Sequence, residues 1–151
     1  MRLALLSLFT TFPVLAQFRS IEITFQGIGC ASCIESLPAR VHRMRGVESA
    51  SVDAARGILK VELAAENRVR LEQVRDAIEQ DGTKTVKATV RVKGEVSQVD
   101  GKWMLRPAGL PASYEIEGKG PLAGTHVVVG EVTKLRPDSG GTIVIRATRL
   151  D

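Results

Sequence analysis

The chain has 151 residues, 44% apolar and 4% aromatic, with 21 Lys and Arg against 17 Asp and Glu, two histidines and two cysteines. This is too apolar and too evenly charged for a disordered chain, and its glycines follow no collagen period. The formal charge of +4 is a mild excess. Its Lys and Arg are scattered, whereas nucleic-acid binders cluster them, so no nucleic-acid partner is expected.

Residues 1–16 read as a secretory signal peptide. Met1-Arg2 is a short basic start, the stretch from Leu3 to Leu15 is mostly apolar, and Val14 and Ala16 form a small-residue cleavage pattern before Gln17. The apolar stretch, about 13 residues, falls short of the roughly 20 needed to span a bilayer. Cleavage after Ala16 leaves 135 residues, secreted or periplasmic, with a side-chain charge of about +3. No cysteine stands at the cleavage point for lipid attachment, and no stable membrane insertion is expected of the mature chain.

From 18 to 92 the pattern alternates between strand and helix periods. Ile21, Ile23 and Phe25 recur at period two within Ser20 to Gln26, as in a half-buried strand. Ile34, Leu37, Val41 and Met44 follow at helical spacing, in a helix starting at Ser32 or Cys33 and stopped by Gly46. Pro38 falls inside this helix and predicts a local kink without a break. Val47 to Val52 and Ile58 to Leu63 form a hairpin around Arg56-Gly57. Val69, Leu71, Val74, Ala77 and Ile78 trace a second helix, with Asn67 as its N-cap and Gly82 just past its end. Thr85 to Val92 is a last strand. The order is βαββαβ, an α+β arrangement with a four-stranded antiparallel sheet and both helices on one face.

From 93 to 151 the helical period is gone. Strand-like runs at Glu95 to Val99, Lys102 to Leu105, Ser113 to Ile116, Thr125 to Val132 and Thr142 to Thr148 are separated by Gly- and Pro-rich turns. Five short strands suggest a small all-β barrel, since closure removes edges that so small a sheet cannot cover. The run resembles an OB-fold in strand count and glycine placement, without the helix usual before the fourth strand. An open sandwich-like piece packed on the first half is the alternative.

Cys30 and Cys33 lie in Gly27-Ile28-Gly29-Cys30-Ala31-Ser32-Cys33, after the first strand and at the start of the first helix. Unpaired N–H groups and the positive end of a helix dipole stabilise thiolate there. Two thiolates can face one soft ion. Cu(I) accepts two sulfur ligands, whereas structural Zn(II) takes four, and the chain has no further cysteine.

Residues 20 to about 92 resemble the heavy-metal-associated domain, the module of copper chaperones, copper-pump N-terminal domains and periplasmic mercury-binding proteins. The resemblance is carried by Gly27, Cys30-Ala31-Ser32-Cys33, Ile34, Leu37, Gly46-Val47, Val52, Val61, Leu71, Ile78-Glu79 and Gly82. It implies a ferredoxin-like fold, Cu(I) held by Cys30 and Cys33 with Hg(II) or Zn(II) as lesser options, and exchange with a metal-donor or acceptor protein that offers thiolates. A monomer or a metal-bridged dimer is expected. Where the family loop commonly carries Met this chain has Ile28, and Lys84, one place beyond the family's usual lysine, reads more readily as a solvated strand residue than as a thiolate counter-charge.

The function expected from these residues is soft-metal delivery, buffering or detoxification outside the cytoplasm. An extracytoplasmic CxxC thiol–disulfide redox module is the alternative, and a structural disulfide the plainest reading. Against the redox module, no Trp precedes Cys30 and no Pro lies between the cysteines. A second copper site from His126 and Met104 is a minor reading. Arg40, Arg43, Arg45, Arg68, Arg70 and Arg75 are expected on solvated faces. No catalytic triad, phosphate loop or paired acid is visible, so no enzyme is expected.

Overall fold

The computed structural model describes residues 17–27, 30–118, 120 and 123–151. The expected signal peptide and the Ile28-Gly29 pair lie outside the described residues. In chain order the elements are β1 (Phe18–Gln26), α1 (Ala31–His42), β2 (Val47–Asp53), β3 (Ile58–Leu63), α2 (Leu71–Glu79), β4 (Lys84–Val99), β5 (Lys102–Arg106), β6 (Tyr114–Glu117), β7 (Gly124–Val132) and β8 (Val144–Leu150).

The first half forms the expected ferredoxin-like βαββαβ unit, with antiparallel strands in the order β2-β3-β1-β4. In β1, Ile21, Ile23 and Phe25 are buried while the alternate residues Ser20, Glu22 and Thr24 are not, so the two-residue period selects the face that meets the helices. Ile34, Leu37 and Val41 of α1 and Leu71, Val74, Ala77 and Ile78 of α2 complete that core. Fully burying a side chain of this size contributes roughly 1.5–3 kcal/mol. Helix α1 runs through Pro38 without interruption. Met44 lies beyond the helix end, half-buried against the core.

The strands expected on either side of Gly94 are one strand. All 16 residues of β4 are extended, and its two edges are used differently. One edge pairs with β1 over Lys84–Val92 and then with β5 over Glu95–Val99. The other pairs with β7 over Ala88–Val96. The change of partner falls at Gly94, where a Cβ would lie 2.6 Å from Leu105 Cδ1 and 2.8 Å from the Arg106 carbonyl oxygen. Glycine therefore allows β5 to begin where β1 ends. Its small size had read as a break in the strand.

Strands β4, β5, β6, β8 and β7 pair in a closed circuit, in which β6 and β8 are parallel and the other pairs antiparallel. Val96, Leu105, Tyr114, Ile116, Val128 and Ile145 are buried within one apolar cluster that also holds the core of the first half. The Tyr114 ring meets that of Phe18 edge-to-face, with centroids 5.5 Å apart.

The second half also fastens to α2. Arg75 Nη1 donates to the Leu135 carbonyl at 2.7 Å, Tyr114 Oη donates to Glu72 at 3.1 Å, and Arg136 Nη2 donates to Glu79 at 2.7 Å. Arg75 is thus buried, and Arg40 turns inward to the Ala77 carbonyl and Asp81, so neither lies on the solvated face expected of it. Long-range neutralisation of this kind leaves no trace in a helical period. The Arg136–Glu79 pair lies in solvent on its arginine side, so it is screened and adds little to stability.

Asn67 does not cap α2. The helix begins at Leu71, with Arg70 as N-cap residue and the Arg70 N–H donating to Gln73 Oε1 at 2.9 Å. Asn67 is buried and ties the preceding loop together. Its side chain donates to the Phe18 and Ala64 carbonyls and accepts from the Val69 N–H, while its own N–H donates to Gln17 Oε1. Gly46 packs against it at a φ of +99°, where a Cβ would lie 2.5 Å from Asn67 Cβ.

Asn67→Ala strands the Val69 N–H and two carbonyls, and is expected to destabilise the chain by about 2–4 kcal/mol in urea unfolding. A change under about 0.5 kcal/mol, the size of an ordinary surface substitution, would contradict this role. The α2 carboxylates add a pH dependence. Burial pushes the Glu79 carboxyl up, but hydrogen bonds from Arg136 and Thr85 outweigh it and hold the group below its ordinary value of 4.5. A hydrogen bond from Thr83 does the same for Asp81 against its ordinary 3.8. Such groups stabilise the fold above their unfolded values and lose that contribution as pH falls through the lowered folded values. Glu79→Gln should lower the melting temperature at pH 7 and flatten its fall as the pH drops below about 4.5. An equal fall in both proteins would count against the Glu79 contacts.

Candidate metal centre

The two cysteines are placed by what surrounds them. β1 is fixed by its buried face, and Gly27, at a φ of +73°, turns the chain out of the strand. α1 is fixed by Ile34 and Leu37, which are buried, so Ala31, Ser32, Glu35 and Ser36 face solvent and Cys30 and Cys33 lie half-buried at its first turn. Their Cα atoms are 5.3 Å apart and their sulfurs are joined as a disulfide.

Cys30 is itself the N-cap of α1. Its backbone is extended, with φ −161° and ψ 148°, and its Sγ accepts the Cys33 N–H at 3.1 Å. Caps are ordinarily Ser, Thr, Asp or Asn, and the helix starts at Ala31, one or two residues before the expected Ser32 or Cys33. Ser32 Oγ lies 3.4 Å from the same sulfur, and Ser36 Oγ donates to the Cys33 carbonyl at 3.0 Å. No acidic side chain stands in the first turn to oppose negative charge. The backbone donors and dipole of α1 therefore favour thiolate at this position once the disulfide is opened.

The donor set is small and soft. Among the described residues no group of three or more His, Cys, Asp or Glu side chains is placed to hold an ion. Two thiolates suit an ion content with two sulfur ligands and leave a four-ligand Zn(II) site incomplete within one chain. Lys84 opens β4 opposite Gln26 and is exposed, the place of a solvated strand residue beside the cysteine loop. His126 and Met104 do not combine. His126 stands opposite Gly94 and Met104 opposite Ser97, and the odd spacing of those partners along β4 puts the two on opposite faces of the sheet.

The heavy-metal-associated domain profile matches residues 22–85. The copper chaperone CopZ of Staphylococcus haemolyticus (strain JCSC1435) is 35% identical over 60 residues, which span 40% of this chain and 87% of that protein. The chain belongs to the heavy-metal-associated domain family. Among solved structures, CopZ metallochaperone is 27% identical with a TM-score of 0.40, covering 44% of this chain and 98% of the other. A copper-binding domain from HMA7, a P-type ATPase, is 28% identical with a TM-score of 0.39, covering 48% of this chain and 92% of the other. The matched region of the heavy-metal-associated profile contains both cysteines and ends at the start of β4.

No helix among the described residues is long and apolar enough to cross a membrane.

Proposed function

We propose that the chain binds Cu(I) through Cys30 and Cys33 and exchanges it with thiolates of a partner protein, outside the cytoplasm and without catalysing a reaction. The observation that carries this reading is a CxxC pair at the N-cap of α1 with no third donor grouped around it among the described residues, in a member of a family whose relatives include a copper chaperone. Thiolate ligands are soft, and a two-sulfur site prefers Cu(I) over harder ions that demand more ligands. Exchange follows from the same openness. A partner thiolate can join a two-ligand ion before either cysteine leaves, so metal passes without being released to water.

Export rests on the Met1 to Ala16 pattern, and the direction of transfer is left to the partner. The closed circuit of β4 to β8 is read as a small OB-like barrel that fixes the α2 side of the metal-binding half. One observation favours the redox alternative, namely the disulfide that joins the two cysteines. A redox module predicts rapid catalysed exchange with thiol substrates, whereas a metal carrier needs only that the pair be reduced when metal arrives.

A competition titration of the fully reduced chain against a chromophoric Cu(I) chelator tests the reading. Binding of one copper per chain is expected, and it should be lost when Cys30→Ser and Cys33→Ser are combined, with the fold retained by circular dichroism. Equal copper binding by the double variant would remove the cysteines from the account.

A further inference from the structure

We propose that the end of the fold opposite the cysteines is a docking surface for an anionic phospholipid bilayer, held by arginines, so that the cysteine loop points away from the membrane. The strands define the two ends. β1 and β2 begin at one end, at Phe18 and Val47, where β3 finishes and α2 starts, and the cysteine loop leaves β1 at the other. β1 has nine residues, so at about 3.3 Å per residue its ends stand roughly 25–30 Å apart.

Four arginines that are scattered in the sequence are gathered at the first end. Asn67 packs on Gly46 and hydrogen-bonds Gln17 and Phe18, which brings Arg45 and Arg68 to one groove of about 460 Å3, lined also by Gln17, Glu66 and Asn67. Arg43 ends α1 and Arg70 precedes α2 at the same end. Arg43, Arg45 and Arg68 are exposed, and none of the four makes an ion pair among the described residues. Glu48 and Glu66 are the carboxylates beside them, while Glu72 faces the second half and accepts Tyr114 Oη. A cation offsets the helix dipole where Arg43 stands, at the C-terminal end of α1. Arg68 and Arg70 stand before the N-terminal end of α2, where the dipole is positive and a cation is disfavoured. Helix stability therefore does not account for them.

The chain itself selects a bilayer as the occupant. Gln17 lies in the groove, so the apolar leader expected over residues 1–16 joins the fold here. While attached, that leader sets this end against the membrane face, and after cleavage the arginines remain. The choice of occupant rests on the export reading and not on the metal reading. Guanidinium forks match phosphate oxygens, and each arginine near an anionic surface strengthens binding roughly fivefold. The attraction fades over roughly 10 Å at moderate salt, so the cysteine end lies beyond it and stays open to a protein partner.

Sedimentation of residues 17–151, which hold every described element, with lipid vesicles tests the docking. Vesicles of equimolar phosphatidylglycerol and phosphatidylcholine should bind the chain at low salt and release it at high salt, and phosphatidylcholine alone should not bind it. Arg43→Gln, Arg45→Gln and Arg68→Gln combined should weaken binding at least about tenfold, with the fold retained by circular dichroism and copper uptake by the reduced chain unchanged. The reduced cysteines should be alkylated as fast on vesicles as in solution. Equal binding to both vesicle types, a smaller loss in the triple variant, or protection of the cysteines on vesicles would overturn the proposal. So would capture by soluble polyglutamate without binding to either vesicle, which would assign the arginines to an acidic protein. A chain that docks as expected and takes up no copper would refute the metal-binding reading and support this one.

Discussion

The structure depends on the two-sided pairing of β4. On one edge this strand completes the ferredoxin-like sheet with β1, and on the other it carries β7, before β5 takes over the first edge beyond Gly94. Its buried residues Ala88, Val90, Val92 and Val96 all lie on one face, so the helices and the circuit of short strands draw on a single apolar layer. The edge that β4 would otherwise expose over Ala88–Val96 is occupied by the chain's own β7, which also removes a site for edge-to-edge association.

The proposed metal site, at the first turn of α1, lies towards the end of β4 that is away from Gly94. α1 has few ties to the second half, and the cysteine loop leaves β1 next to the first residues of β4. A rigid sheet and a helix pinned by Ile34 and Leu37 hold two sulfurs at one place, while the half-exposed first turn lets a partner reach them. Rigidity beneath and exposure above are what ligand exchange needs. A buried pair would hold an ion without passing it on.

Much of the first half was legible in the sequence because its signals are local. The two-residue period of Ile21, Ile23 and Phe25, the helical spacing of Ile34, Leu37 and Val41, and the CxxC spacing each survive folding unchanged. What was illegible depends on distant partners. Gly94 looks like a terminator until the approach of Leu105 and Arg106 shows that it makes room within a continuous strand. Asn67 looks like a cap because caps and loop buckles use the same side-chain acceptor, and only the Gln17 and Phe18 contacts separate them. Arg75 looks solvated because the Leu135 carbonyl that receives it lies sixty residues away in the chain. Cys30 was read as a candidate ligand but not as a cap, since sulfur is an uncommon N-cap acceptor.

In the proposed function Cys30 and Cys33, and nothing else in the chain, hold the ion. Copper X-ray absorption of the reduced, copper-loaded chain as a dilute monomer measures this most directly. Cu(I) with two sulfur neighbours and no nitrogen or oxygen ligand in its inner sphere is expected. A shell of three or more protein ligands, or one containing histidine nitrogen, would contradict it.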